Sequence, residues 1–264
     1  YRARRLTELI EGQDQLSLQD HQKFHVDVKC HPALALIAVL KDFSDPDDDV
    51  NWVLKLLGEW DGYLPPESVP GTLYEVLRYT LVRNLFEPGL GVELATRFMG
   101  EGFHPVLNHS NEFYGQDTVI LLRLLENPDS WWVQQVGGQE AWIKESMLQA
   151  VAWLRERLGP DPEGWQWGKI HQANFEHPLG LQKPLDQVFN RGPFPIGGDT
   201  DTPCQTAMSP TDPYDNRAWS PTFRQVVDMG DLSRSVVIVP PGQSENVSSP
   251  HYDDLIQAWL DGDY

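Results

Sequence analysis

The sequence predicts an α+β fold, in which a mainly helical region precedes a region of strands, ordered loops and one terminal helix. Over residues 1–160 apolar side chains recur every three or four positions, which is the period of a helix with one buried face. After Pro160 the pattern changes to alternating residues and to stretches rich in Pro and Gly, which are typical of strands and turns. The change of period predicts one boundary, between a helical region at 1–160 and a strand region with a terminal helix at 161–264.

Five helices of the first region follow from apolar spacing. In the clearest of them, Glu140–Leu158, Trp142, Val151 and Leu158 fall on one face, and Gly159-Pro160 ends the helix. The other four predicted helices cover residues 2–12, 33–40, 51–60 and 72–86.

Two pairs of residues have the spacing of a capping box, in which a Ser or Thr and an acid three residues later satisfy the N–H groups at a helix start. Ser17 and Asp20 form the first pair, and Thr72 and Glu75 form the second. The helix predicted over 72–86 begins at the second pair. This pair also accounts for Gly71-Thr72, which would otherwise resemble a self-cleavage junction exposing a Thr nucleophile.

The second region predicts a strand, long loops and a hairpin. The alternation from Trp165 to His177 has the period of a strand, and residues 178–221, rich in Pro, Gly, Asp and Thr, predict ordered loops. Two β-rich runs, Phe223–Met229 and Ser233–Val239, flank a Gly-Asp turn and predict an antiparallel hairpin. A short terminal helix is predicted over His251–Leu260.

The chain is strongly acidic, with 39 Asp and Glu residues against 20 Lys and Arg and a net charge of -19. Such a charge repels phosphate backbones and anionic lipids, which argues against binding to nucleic acid or to membrane surfaces.

No apolar run approaches the roughly 20 residues that cross a bilayer. The basic start of the chain is followed by a stretch broken by charges, which is not the pattern of a signal peptide. Because the first residue is Tyr1 rather than Met, we expect a processed or trimmed product.

Residues that often bind metals are present, but their spacing is unfavourable. His171 and His177 share one face of the predicted strand about 20 Å apart, too far to hold one ion, so packing or hydrogen bonding is expected of them. The acidic run 45–49 has oxygens suited to calcium but lacks the Gly and Glu of an EF-hand loop, and we interpret it as a solvated turn before a helix. Cys30 and Cys204 form either one disulfide or two buried thiols; we favour two thiols, and neither has a neighbour for a zinc knuckle.

Other enzyme signatures are missing from the sequence. There is no Gly-x-Ser-x-Gly elbow of an α/β-hydrolase. The run Gly197-Gly198-Asp199 lacks the Lys-Ser/Thr pair of a phosphate loop and is interpreted as a tight turn. Paired acids such as Asp199 with Asp201 are expected by chance in so acidic a chain, rather than as glycosidase carboxylates. Most of the ten Trp residues predict core packing, whereas Trp131-Trp132 has the setting of an exposed loop.

Seven segments, in one order along nearly the whole chain, resemble a known family. The strongest runs from Gly164 to His171 (Gly-Trp-Gln-Trp-Gly-Lys-Ile-His) and continues to His177-Pro178-Leu179-Gly180. The others are residues 1–6, 57–62, 197–199 with Thr202, 223–228, 240–244 and 249–254. Each alone is weak, but the ordered set resembles the penicillin amidase family of N-terminal nucleophile hydrolases, in the C-terminal part of the large chain.

The resemblance implies a four-layer αββα sandwich with a helical insertion, of which this chain would be the C-terminal portion. Members are made as one precursor that cuts itself into two chains, and the new N-terminal Ser of the larger chain attacks an amide carbonyl. An Asn side chain belongs to the oxyanion hole. The Ser, the Asn and the calcium-binding acids are expected on polypeptide outside this sequence, so no cofactor is expected within the chain and calcium is expected in the complete enzyme.

Arg2 is the one catalytic residue that the resemblance implies within this chain. A guanidinium at the start of its helix would hold neighbouring groups by paired hydrogen bonds and favour the neutral amine of the nucleophile. The alternative is a basic surface residue that pairs with acids. His177, Asp199 and Asp228 are expected to be internal polar ties.

The function that the resemblance implies is hydrolysis of the amide bond of N-acyl compounds, such as a penicillin or an acyl-homoserine lactone, by the parent protein. The partners would be the small chain and the N-terminal part of the large chain, the substrate a small-molecule amide, and the location periplasmic or secreted. The chain alone is expected to be inactive. The alternative is a non-enzymatic, aromatic-rich binding or interaction module that has kept the acylase scaffold.

Overall fold

The computed structural model describes residues 1–102, 111, 113–208, 214 and 220–264, and it has the predicted α+β class. The helices are α1 (Arg2–Glu11), α2 (Leu18–His25), α3 (His31–Leu40), α4 (Asp48–Gly58), α5 (Val69–Leu90), α6 (Val92–Phe98), α7 (Asp117–Leu125), α8 (Trp131–Gln135), α9 (Gln139–Leu158), α10 (Asp186–Phe189) and α11 (Ile256–Asp261). The strands among these residues are β1 (Gln172–Phe175), β2 (Arg191–Pro195), β3 (Arg224–Val226) and β4 (Val236–Ile238). Of the predicted loops, residues 209–213 and 215–219 lie outside the described residues.

Helix α5 is the centre of the main core. Its apolar residues lie all round the helix rather than on one stripe, which is typical of a helix that is covered on every side. Helix α9 packs along it, and the indole Nε1 of Trp142 donates to the carbonyl of Leu81 at 2.9 Å. The same core takes in Trp165 and Trp167, both fully buried, so it continues past residue 160.

One of the two predicted capping boxes is present in the structure, and the other is not. Ser17 and Asp20 form the predicted capping box at the start of α2. The second predicted box is wrong, because α5 begins at Val69 and Ser68 is its N-cap, accepting a hydrogen bond from the N–H of Gly71 at 3.0 Å. Pro70 fits the first turn, where no N–H is needed, so the helix starts before Thr72. The Thr72 hydroxyl instead donates to the Ser68 carbonyl at 2.8 Å.

The strand predicted over Trp165–His177 is wrong for most of its length. A 3₁₀ turn at Trp167–Lys169 occupies the middle of it, and only Gln172–Phe175 forms a strand. The indole Nε1 of Trp165 donates to the Gly159 carbonyl at 2.8 Å, and that of Trp167 donates to the Gly198 carbonyl at 2.9 Å. Both rings point into one core, so the alternation reflects two buried anchors rather than an extended chain.

Two small antiparallel sheets make up the strand region. Strand β1 pairs with β2, with Ala173 opposite Phe194, and β2 lies inside the segment that was predicted as loops. Strand β3 pairs with β4, with Gln225 opposite Val237, which confirms the predicted hairpin. The terminal helix α11 is confirmed but begins at Ile256, later than predicted.

A second, smaller core holds the two sheets and α11 together. Its buried members are Ala173, Ile196, Ile238 and Trp259. The outer side of the β3–β4 hairpin and its loop remain exposed, with Phe223 63% and Met229 86% accessible. No helix of the described segments combines the length and the apolarity that a bilayer crossing requires.

Candidate functional site

Arg2, the predicted catalytic residue, is the first residue of α1 and is exposed to solvent. Its guanidinium donates to the side-chain carbonyl of Gln205, which lies in the loop that follows the Gly-Gly-Asp turn. This contact is with an amide rather than with an acid. The structure therefore places Arg2 at the surface beside that loop.

Arg5 lies one turn further along α1 and makes the stronger connection. Its Nε and Nη2 donate to the two carboxylate oxygens of Asp27 at 2.9 and 2.8 Å, and Nη2 also donates to the hydroxyl of Tyr63 at 3.0 Å. The side chains of Arg5 and Asp27 are only 13% and 10% exposed. The hydrogen bond to Asp27 raises the pKa of Arg5 above its ordinary value.

Sequence reasoning did not single out Arg5 or Asp27. The three-residue spacing of Arg2 and Arg5 puts both on one side of α1 and could have pointed to Arg5, whereas no local pattern identifies Asp27 as its partner. Arg5 anchors the helix, and Arg2 lies one turn before that anchor.

Three chain segments form a layer beneath α1. The N–H of Cys204 donates to the carbonyl of Asp27 at 2.9 Å, and the N–H of Leu64 donates to Val28 at 3.1 Å. The N–H of Gly198 in turn donates to Leu64 at 2.8 Å. The segments around residues 27–30, 62–64 and 197–206 are thus joined backbone to backbone, so the position of Arg2 depends on all three.

The Gly-Gly-Asp turn is tight, as predicted. Gly198 has φ +81°, and a Cβ at this position would lie 2.5 Å from the carbonyl oxygen of Cys204. Asp199 is 2% exposed, and its Oδ1 accepts hydrogen bonds from the N–H groups of Asp201 and Thr202, both at 2.7 Å. Asp199 is therefore the internal polar tie that the sequence predicted.

A buried group of charged residues lies between this turn and α5. On α5, Nε of Arg78 donates to Oε2 of Glu75 at 3.1 Å, and Nη1 of Arg78 donates to Asp117 at 2.8 Å. Burial raises the pKa of Glu75 well above its ordinary value. Burial, with the nearby charge of Asp199, also raises the pKa of Asp201, to about 7.

The two cysteines are unpaired, as favoured from the sequence. Both Cys30 and Cys204 are buried thiols. The Sγ of Cys30 lies 3.0 Å from Oδ2 of Asp199, to which it donates. Burial, followed by the charge of Asp199, raises the pKa of Cys30 well above its ordinary value, so the thiol stays protonated.

The two histidines are held in separate places. His171 is fully buried, stacks on Trp167 with ring centroids 4.5 Å apart, and its Nδ1 lies 2.9 Å from the carbonyl of Tyr214. His177 stacks on Phe189 and accepts a hydrogen bond from the N–H of Leu179 at 3.1 Å. Both therefore have the packing and hydrogen-bonding roles that were predicted.

The acidic run 45–49 also has its predicted role. Asp47 is the N-cap of α4 and accepts from the N–H of Asp49 at 2.9 Å, and Asp45 pairs with Lys144 at 2.9 Å. Asp45 and Asp47 are thus occupied with an ion pair and a helix cap, which fits a turn before a helix.

Two further expectations concern single positions. Asp228 accepts from the N–H groups of Gly230 and Asp231 at 2.9 and 3.1 Å, so it ties the hairpin loop at its exposed end rather than in the interior. Trp131 is 60% exposed, as expected, but it begins the short helix α8 instead of lying in a loop.

An open cleft of about 780 Å³ lies in the strand region, away from Arg2. Its wall includes Phe175, His177, Phe189, Arg191 and Tyr252. The guanidinium of Arg191 lies 4.8 Å from the centre of the Tyr252 ring and pairs with the carboxylate of Asp253. The described lining of the cleft is chemically mixed, and its arginine, Arg191, is already paired.

Comparisons with known proteins agree with the segments quoted above. A family model described as penicillin amidase matches residues 1–264. The acyl-homoserine lactone acylase QuiP of Pseudomonas aeruginosa is 29% identical over 220 residues, which cover 78% of this chain and 25% of that protein. The penicillin acylase 2 proenzyme of Pseudomonas sp. strain SE83 is 27% identical over 267 residues, which cover 99% of this chain and 32% of that protein.

A solved structure agrees at the level of the fold. The thermostable penicillin G acylase from Alcaligenes faecalis superposes with a TM-score of 0.52 at 16% identity, covering 98% of this chain and 48% of that chain. The fold is thus that of part of a penicillin acylase. The chain spans about a quarter to a third of the length of the curated relatives it matches.

Proposed function

Because the chain belongs to the penicillin amidase family, we propose that it is part of an enzyme that hydrolyses the amide bond of N-acyl compounds. The observation that carries this proposal is the family match over all 264 residues. The curated relatives are named as acylases of acyl-homoserine lactones and of penicillin, which supports the same class of reaction.

We place the nucleophile, an N-terminal Ser, on a part of the protein outside this chain, since the chain spans about a quarter to a third of its relatives. The Ser oxygen would form an ester with the acyl group while the amide C–N bond breaks. The α-amino group of the same Ser would take the hydroxyl proton and pass it to the leaving amine. Water would then hydrolyse the ester and free the Ser.

In this scheme the chain supplies support, and Arg2 is the residue nearest to the chemistry. Its exposed guanidinium at the start of α1, one turn before the Arg5–Asp27 anchor, supports this role. A fixed cation beside the nucleophile would disfavour the protonated amine and keep it able to accept a proton.

The partners of this chain would be the small chain and the rest of the large chain. Calcium would bind outside these residues, and the protein would be periplasmic or secreted.

The experiment is a comparison of substrates and variants in the complete protein. We expect hydrolysis of N-acyl-homoserine lactones, of a chromogenic phenylacetyl amide, or of both, with an acyl adduct on an N-terminal Ser by mass spectrometry. Arg2→Ala should lower kcat/KM by roughly 10- to 100-fold, the loss of one charged hydrogen bond. It should also move the acidic limb of the pH–rate profile to higher pH, because the amine is no longer destabilised as a cation.

Arg4→Ala is the matched control, since Arg4 lies on the same helix turn, is exposed, and pairs with Glu8 at 3.2 Å. It should leave the kinetics nearly unchanged. Equal losses in the Arg2 and Arg4 variants would refute the role of Arg2. A complete protein that forms no acyl adduct and turns over neither class of substrate would instead favour the non-enzymatic binding module.

A further inference from the structure

Two buried carboxyl groups from distant parts of the chain face one another between α5 and the Gly-Gly-Asp turn. Glu75 and Asp199 are 1% and 2% exposed. One oxygen of each carboxyl group and the Sγ of Cys30 all lie within 4.8 Å of one another. Two ionised carboxylates at this separation repel each other in a buried site, so the arrangement needs a positive charge or a proton between them.

The hydrogen bonds identify which oxygen of Glu75 can carry a proton. Oε2 of Glu75 accepts from Arg78, whereas Oε1 is buried and accepts no hydrogen bond from any N–H or hydroxyl group of the described residues. Asp199 already accepts from two backbone N–H groups and from the Cys30 thiol. The surroundings of Asp199 therefore suit an ionised carboxylate that accepts hydrogen bonds. The surroundings of Glu75 suit a protonated carboxyl group that donates one.

We propose that Glu75 is a neutral carboxylic acid in the folded protein, and that its proton on Oε1 is donated to Asp199. This hydrogen bond ties the central helix of the main core to the turn that leads to Gln205. Burial raises the pKa of Glu75 and the nearby charge of Asp199 raises it further, which agrees with the geometry. The inference concerns the fold and does not depend on the proposed catalytic function.

A metal ion bound by Cys30, Glu75 and Asp199 is the competing explanation, and two observations oppose it. The guanidinium of Arg78 already contacts Glu75 and would repel a second cation. The Sγ of Cys30 lies 3.0 Å from Oδ2 of Asp199, shorter than the roughly 3.6 Å expected between a sulfur and an oxygen on one tetrahedral zinc.

The charged groups around Glu75 favour the neutral form. Among the residues that the structure describes, the charged and titratable groups around it are Arg78 and Tyr74 from its own helix, Asp199 and Asp201 from the turn, and Cys30, Asp117 and Tyr214. Four carboxyl groups thus share one buried guanidinium, so ionising Glu75 would add uncompensated negative charge.

The tie makes the stability of the fold fall as the pH rises above about 4.3. The folded pKa of Glu75 is raised above its value in the unfolded chain, which is about 4.3. The stabilisation is therefore complete below about pH 4.3 and is lost as the pH rises toward and through the folded value, since the unfolded chain then releases a proton that the folded chain holds.

The variant Glu75→Gln tests this in the complete protein, because an amide can donate to Asp199 and accept from Arg78 without ionising. We expect its melting temperature to match that of the wild type near about pH 4 and to exceed it by a few degrees at about pH 9. Glu156→Gln, at an exposed position on α9, is the control and should show no such divergence. Glu75→Ala should melt lower than wild type at low pH, because it removes the hydrogen bond.

Two outcomes would overturn the proposal. The first is a Glu75→Gln protein that melts below the wild type by the same amount at every pH, which would require an ionised Glu75. The second is one equivalent of zinc in the purified wild type, by elemental analysis, that is lost in both Glu75→Gln and Cys30→Ser.

Discussion

Arg5 and Asp27 are joined by two hydrogen bonds, of 2.9 and 2.8 Å, in a setting where both side chains are nearly buried. The pair connects α1 to a segment whose carbonyl also receives the N–H of Cys204. A planar guanidinium meeting a carboxylate in this way fixes orientation as well as distance. The pair is thus what positions the helix that carries Arg2.

The first prediction follows from that pair. Arg5→Ala should lower the free energy of unfolding by roughly 3 kcal/mol, because it leaves the buried Asp27 carboxylate without its cation. Arg5→Lys should recover only part of the loss, since an ammonium cannot replace the two-pronged contact. Denaturant unfolding of the complete protein measures both. Adding Asp27→Ala to Arg5→Ala should cost less than the sum of the single changes; strict additivity would show that the pair is not coupled.

The second prediction separates the observed cap of α5 from the one that the sequence indicated. Ser68→Ala should destabilise the protein by about 1 kcal/mol, because the N–H of Gly71 loses its acceptor. Thr72→Ser keeps a hydroxyl that can donate to the Ser68 carbonyl and should cost less. Thermal melts at one pH suffice for the comparison, and a larger loss at Thr72 than at Ser68 would contradict the assignment.

The third prediction concerns the Gly-Gly-Asp turn. Gly198→Ala should be strongly destabilising, by more than about 1 kcal/mol, because an L residue is strained at φ +81° and its Cβ would meet the Cys204 carbonyl at 2.5 Å. Gly58→Ala is the matched control, since that position ends α4 with open space around the added Cβ. It should be neutral or slightly stabilising. Similar melting temperatures for the two variants would argue against the turn as described.

The fourth prediction is a pH dependence from Asp201. Its folded pKa is raised to about 7, above the unfolded value of about 3.9. Its contribution to stability is therefore present at low pH and is lost as the pH rises through about 7. Asp201→Asn should gain melting temperature relative to the wild type between about pH 4 and pH 7 and keep a constant advantage above that. A constant difference over the whole range would mean that Asp201 does not titrate as described.

The fifth prediction concerns the exposed side of the β3–β4 hairpin. Phe223, Met229 and Leu232 are 63%, 86% and 68% accessible, so the isolated chain should bind a hydrophobic dye and aggregate. Replacing all three with Ser should reduce both dye fluorescence and light scattering. A sharp melt of the unaltered chain without dye binding would refute this expectation.

The parts of the fold that the sequence predicted are those specified by local patterns. The long face of α9, the apolar run of α3, the Ser17–Asp20 box and the β3–β4 hairpin each depend on residues near one another in the chain. Helices α6 and α8 have seven and five residues, too few for a period to be recognised.

The predictions that were wrong or missing share a different physical cause. The spacing of Trp165 and Trp167 matches the period of a strand, although long-range packing is what buries both indoles. No local pattern distinguishes two indoles buried in this way from the alternation of a strand. Glu75 fits a capping box by spacing, yet its carboxylate accepts from Arg78 and lies beside Asp199, in a turn more than a hundred residues away. Arg2 was identified by resemblance, whereas the Arg5–Asp27 anchor required coordinates. Contacts between distant segments carry no signal in a single sequence.

The two buried indoles also affect how this polypeptide could be dissected. A shortened version that stops at the change of pattern near residue 160 would lose Trp165 and Trp167, both fully buried in the main core, and would leave a large void in its interior. Any helical fragment meant for expression should therefore extend through at least His171, whose ring stacks on Trp167.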